Sequence, residues 1–117
     1  MFFRRWAPRR SVVLHIYPST LEVARDIARL MPAISRADSD LARQLRRAVT
    51  SVPLNLGEDM YSRGRLRQAR YHSALGSSRE VLSCLEVAVA MSYLKALPPA
   101  LGARLNRVIG TLIKLVN

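Results

Sequence analysis

Arginine is the side chain with which this sequence is best equipped to do chemistry. Seventeen of the nineteen basic residues are arginines, only Lys95 and Lys114 are lysines, and eight acids leave a formal net charge of +11. A guanidinium presents a planar fork of donors that grips phosphate bidentately and stacks on bases. Arg43, Arg46 and Arg47 stand three and four apart, so a helix gathers them into one sector. Such a sector is either a phosphate-facing stripe or a solvated face ion-paired to Asp40 or Glu58. Buried against a neighbouring copy, the same arginines and Gln44 would instead hold an oligomer together. Arg63, Arg65, Arg67 and Arg70 flank Gly64, with Tyr61, Tyr71 and His72 close by in sequence. Guanidinium groups interleaved with rings suit single-stranded nucleic acid; a charged loop with Tyr71 in the core is the plainer alternative. Arg104 and Arg107 share a sector of a basic last helix. The arginine excess points to a polyanionic partner, although positive charge also serves solubility.

Catalytic constellations are hard to find. His15 and His72 are the only histidines, and neither sits at the spacing of a metal-ligand pair. Glu58-Asp59 is a lone acidic pair. The glycines form no phosphate-cradling loop. Cys84 is the only cysteine and reads as a small core residue, which suits a reducing, cytoplasmic setting. The expectation is therefore no catalytic residue, no metal and no cofactor. No apolar run is long enough to span a membrane, and the short apolar stretch after Arg10 lacks the cleavage site of a signal peptide.

The elements that must position these arginines are helices. A chain of 117 residues accommodates one domain, and its periodicity is helical almost throughout. The first helix is expected over 18–31, opened by a Ser19–Glu22 capping box and closed near Pro32. The second starts near Asp38 or Asp40, carries Leu41, Leu45, Ala48, Val52 and Leu56 on one face, and kinks or restarts at Pro53. Ser51 and Asn55 are expected to hydrogen-bond to the backbone that Pro53 frees. The third covers about 65–94, with Tyr71, Leu75, Ser78, Leu82, Leu85, Val89 and Ser92 as its seam. The fourth follows Pro98-Pro99 and buries Leu101, Leu105, Val108, Leu112 and Leu115. Four helices with short connections predict an all-α, up-down-up-down antiparallel four-helix bundle over 14–117, preceded by a basic, extended tail over 1–13. The broad apolar faces of the last two helices suit either a deep core or self-association.

The stretch Leu41 to Asp59 resembles the signature of a bacterial four-helix-bundle family. That family includes the 23S rRNA intervening-sequence proteins and the accessory variability proteins of diversity-generating retroelements. Gln44, Leu45, Arg46, Arg47, Ala48, Ser51, Val52, Asn55 and Glu58 fit the signature. The stretch from Leu14 to Leu30, with Pro32 after it, is similar to the family's first helix. The stretch Ala74-Leu-Gly76-Ser77-Ser-Arg-Glu80 is similar to part of its third. Gly57 stands where the family has alanine, and Asp59 where it has glycine. The resemblance implies a homopentamer of four-helix protomers that binds nucleic acid without catalysis and, in the retroelement branch, a reverse transcriptase. It gives Gln44, Ser51, Asn55, Glu58 and Gly76 the character of structural motif residues, to which the helix-interrupting Pro53 is added from the pattern itself. No membrane partner is implied, and a protein-interaction scaffold is the alternative.

Overall fold

A computed structural model describes the backbone of residues 2–59 and 64–117, and the side chains of 12–58 and 64–117. The described residues form four helices and no strand: α1 (Phe2–Ala37), α2 (Ser39–Asp59), α3 (Gly64–Ala90) and α4 (Pro99–Val116). Helix α2 packs on α1 and α3, and α4 packs on α1 and α3. Each helix thus lies between two neighbours.

The first helix departs most from expectation. It does not begin at Pro18 or end at Pro32; it runs through both. The Ser19–Glu22 pair lies in mid-helix, where Glu22 instead pairs with Arg25. The reason is packing. Val13, Ile16, Val23, Ile27 and Ile34 lie on one face and are all buried. Five such side chains contribute about 8–15 kcal/mol at about 1.5–3 kcal/mol each. Two interior prolines cost about 3 kcal/mol each. Both proline rings are exposed, on the outer side where a helix can bend open toward water. The expected extended tail is likewise helical in its backbone from Phe2.

The second helix starts as Asp38 dictates. The Asp38 Oδ1 accepts from the Leu41 amide at 3.0 Å, which caps the first turn of α2. Pro53 is buried inside a single uninterrupted helix, so no restart occurs. Gly57 faces α1: a Cβ there would lie 3.7 Å from the Tyr17 ring, an ordinary contact.

The third helix is shorter than expected and its seam is shifted. Val81, Cys84 and Ala88 are buried with Tyr71, Leu75, Ser78 and Leu85, while Leu82 and Val89 are only partly buried. Ser92 lies beyond the helix, at φ 64°. It sits in a two-bond C-terminal cap: Tyr93 N donates to Ala88 O at 2.8 Å and Ser92 N to Val89 O at 3.0 Å. This cap aims Tyr93 at the junction of α1 and α2, where its hydroxyl donates to Asp38 Oδ2 at 3.2 Å. Desolvation first, then the Asp38 charge and this hydrogen bond, raise the Tyr93 phenol above the usual tyrosine range. The fourth helix has Pro99 in its first turn and buries the five expected side chains.

Two apolar clusters fill the interior, one around Leu45, Leu85 and Leu105 and one around Leu56, Tyr71 and Leu112. Thr20 and Ser78 are buried, but their hydroxyls donate to Tyr17 O and Ala74 O one turn back. A cavity of ≈ 10 Å³ lies among Thr20, Val52, Ser78 and Val108. It is scarcely the volume of one water and has no room for a substrate.

The left-handed backbone at Ser92 is a conformation that glycine adopts without penalty. Ser92→Gly is expected to raise the unfolding free energy by about 1 kcal/mol in urea denaturation.

Candidate nucleic-acid interface

The arginine sector of α2 forms as the spacing requires. Arg43, Arg46 and Arg47 are exposed on the face opposite the buried Leu41, Leu45, Ala48 and Val52. Arg43 Nη1 lies 3.4 Å from Asp40 Oδ1, and both groups are well exposed, so that pair is weak. Neither Arg46 nor Arg47 has an acidic partner among the described residues; their backbone carbonyls accept from the Thr50 hydroxyl at 2.9 and 3.2 Å. Two guanidinium groups are thus open to an anion, with a third that weak pairing barely detains. Gln44 is exposed beside them.

The arginines around the α2–α3 connection are split in role. Arg63 lies outside the described residues. Arg65 is exposed. Arg67 is only 6% exposed and is a core-edge residue rather than a surface one. Arg70 Nη2 lies 2.6 Å from Glu58 Oε2, an ion pair that joins α3 to α2. Tyr71 is fully buried, so its ring is not a stacking platform, while His72 is exposed. On α4, Arg107 is exposed, but Arg104 is spent inside the protein. It binds Asp26 of α1, with both groups largely covered, and Asp26 also lies 3.6 Å from Arg29. The structure therefore does not gather the eight described sequence candidates into one patch. It leaves Arg43, Arg46 and Arg47 together on α2, Arg65 at the start of α3 and Arg107 on α4.

The motif residues make a polar bridge between α2 and α3. Asn55 Nδ2 donates to Ser51 O at 2.9 Å and to Ser51 Oγ at 3.0 Å. Ser77 Oγ donates to Ser51 Oγ at 2.8 Å. The carbonyl served is that of Ser51, not that of Val49 one turn before Pro53. Ser77 completes the bridge, and its only signal in sequence is its place beside Gly76 in the third matching block. Gly76 is exposed, and a Cβ there would meet nothing within 4 Å. Nothing inside the chain requires a glycine at that position.

Chemistry beyond ionic contact has little material here. Among the described residues, no group of three His, Cys, Asp or Glu side chains could hold a metal ion. Cys84 is buried, and burial, then the charge of Glu80, push its thiol up, away from the reactive thiolate. No helix of the described residues is long and apolar enough to cross a membrane.

Four helices around one core, with exposed arginines on α2 and a Ser–Asn–Ser bridge at motif positions, define a basic all-α helical protein. The chain belongs to the 23S rRNA-intervening sequence protein family, whose model matches residues 13–113. No curated protein and no solved structure matches it.

The two last-helix arginines should behave differently. Arg104→Ala leaves Asp26 half-buried with a weaker partner and is expected to lower stability by about 1 kcal/mol. Arg107→Ala should leave stability within about 0.5 kcal/mol of the parent. Paired urea titrations of the two variants check both.

Proposed function

We propose that this protein is a non-catalytic nucleic-acid-binding accessory protein that acts in the cytoplasm as a homo-oligomer. The observation that carries the reading is the α2 sector, where Arg46 and Arg47 are exposed and have no acidic partner among the described residues, beside a weakly paired Arg43. Family membership supports it, since the family takes its name from an RNA context. The chain charge of +11 supplies a field that draws polyanions from a distance.

The protomer in this reading is an up-down-up-down antiparallel bundle. Three cross-helix contacts support it. Tyr17, just before the middle of α1, faces Gly57 near the end of α2, while the end of α1 meets the start of α2 at Asp38. Gln68, early in α3, donates to Val116 O at the end of α4 at 3.0 Å. Arg104, early in α4, binds Asp26 in the second half of α1. The assembly in this reading is a homopentamer. Exposed Leu54, Leu66, Val87 and Met91 offer apolar contacts for it. Gly76 costs about 1 kcal/mol in a helix and returns nothing within one protomer, so a closely approaching copy accounts for it. Light scattering is expected to give about five times the chain mass of 13.1 kDa; a monomer removes the ring.

A scaffold for a protein partner is the second reading, favoured by the 58% exposure of Met91 and 64% exposure of Leu54. Binding to labelled single-stranded RNA, duplex DNA and an RNA–DNA hybrid across a salt series separates the two. The nucleic-acid reading expects sub-micromolar affinity near physiological salt with a preference for one form. Arg46→Gln with Arg47→Gln should weaken that binding and lower the salt slope by roughly 1–2. Binding that vanishes above low salt and ignores the nucleic-acid type favours the scaffold.

A further inference from the structure

The outer side of α1 carries arginines beyond those of the α2 sector. Arg25, Arg29 and Arg36 follow one another at spacings of four and seven, so they share one sector of the helix. All three are exposed, opposite the buried Val23, Ile27 and Ile34. Nearby acids restrain them little. Arg25 pairs with Glu22, but the two side chains are 61% and 49% exposed, so the pair is weak. Arg29 approaches Asp26 only to 3.6 Å, and Asp26 is already held by Arg104. Arg36 has no acidic partner among the described residues.

Packing sets this stripe beside that of α2. Tyr17 faces Gly57, and α1 ends where α2 begins, so Arg29 is level with residues 45–47 and Arg36 with the first turn of α2. Arg25, Arg29 and Arg36 therefore run alongside Arg43, Arg46 and Arg47. Between Arg25 and Arg36 the helix rises about 16 Å, at about 1.5 Å per residue. Packed helices lie about 8–10 Å apart, so the six guanidinium groups stand in two rows rather than one. They share this side with two exposed carboxylates, Glu22 and Asp40. Asp26 and Asp38 are half-buried and engaged by Arg104 and by the cap of α2.

The same side offers no exposed tyrosine among the described residues. Tyr71 is buried, Tyr17 is half-buried against Gly57, and Tyr93 is half-buried with its hydroxyl on Asp38. The exposed imidazoles of His15 and His72 lie toward the other end of the bundle, near the levels of Gly57 and of the Arg70 pair with Glu58. A single strand is held by stacking its bases on rings as well as by its charge. A double helix keeps its bases inside and presents two rows of phosphates, one charge per about 1.7 Å of its axis against about 3.4 Å for one strand.

We propose that the α1–α2 side of the protein binds double-helical nucleic acid through its phosphate backbone, with Arg25, Arg29 and Arg36 as contacts beside Arg43, Arg46 and Arg47. The proposal rests on the nucleic-acid reading above and gives its α2 sector a second row and a substrate class. Arginines that reach phosphates position a duplex without reading its bases, so charge and shape are recognised rather than sequence.

The full chain is titrated, by anisotropy at physiological salt, against a short fluorescein-labelled RNA duplex, the DNA duplex of the same sequence and each unstructured strand. Both duplexes are expected to bind at least about fivefold more tightly than their strands, and a duplex of scrambled sequence to bind within about twofold of the original. The tighter of the RNA and DNA duplexes names the source of the phosphate rows. The variant with Arg25→Gln, Arg29→Gln and Arg36→Gln should bind the duplex about tenfold more weakly while melting with the parent. Its salt slope should fall by about 2–3, at about 0.9 per duplex phosphate contact. Strands bound as tightly as duplexes, or parental duplex binding by the α1 variant, overturns the proposal and leaves the nucleic-acid reading standing. Absence of binding to every probe, at low salt as well, removes both.

Discussion

Burying Val13, Ile16, Val23, Ile27 and Ile34 along a single face requires that α1 stay helical through Pro18 and Pro32. The rest of the fold follows from that requirement. A continuous α1 offers two long flanks, and α2 and α4 each take one. Helix α3 then closes the core from the side away from α1, against both α2 and α4. The α1–α2 junction is reduced to Asp38, whose carboxylate caps α2 and accepts from Tyr93. One residue thereby links α2 to the turn that leads into α4.

The second organising constraint is a shortage of acid. Eight carboxylates face nineteen basic residues, and folding uses several of them for tertiary purposes. Asp26 holds Arg104 across α1 and α4, Glu58 holds Arg70 across α2 and α3, and Asp38 serves as a cap. These acids do structural work on particular arginines and, among the described residues, leave Arg46 and Arg47 without an acidic partner. The arginines that remain on the surface are therefore set by which positions the acids reach, rather than by the arginine count alone. Arg46 and Arg47 stay open because the nearest acid on their own helix, Asp40, lies beside Arg43.

The motif positions now have a physical sense within the chain. Ser77 bonds across from α3 to Ser51 on α2, and Asn55 holds the Ser51 hydroxyl from within α2, which adds a directional contact to the apolar packing of the two helices. Pro53, enclosed in the same stretch, is tolerated because it is buried in a helix whose flanking residues are held by that bridge and by the core. Gly76 has no such sense inside one chain, where a Cβ would meet nothing within 4 Å.

Local pattern settled the number of helices, their apolar faces and their class. The steps of three and four at Leu41, Leu45, Ala48 and Val52, and at Leu101, Leu105, Val108, Leu112 and Leu115, need no knowledge of the partner helices. The Asp38 cap and the Pro99 start were legible for the same reason, since their partners lie within one turn. Family membership was legible in the Gln44–Glu58 stretch and its two companion blocks. The true ends of α1 were not legible, because local proline signals were outweighed by burial against helices remote in sequence. The roles of single arginines were equally hidden. Arg67, Arg104 and Arg107 look alike in the chain. Only the tertiary structure decides that the first is buried, the second is held by Asp26 and the third faces solvent. An ion pair between residues far apart in sequence depends on which helix faces intersect, and that is a property of the packed bundle.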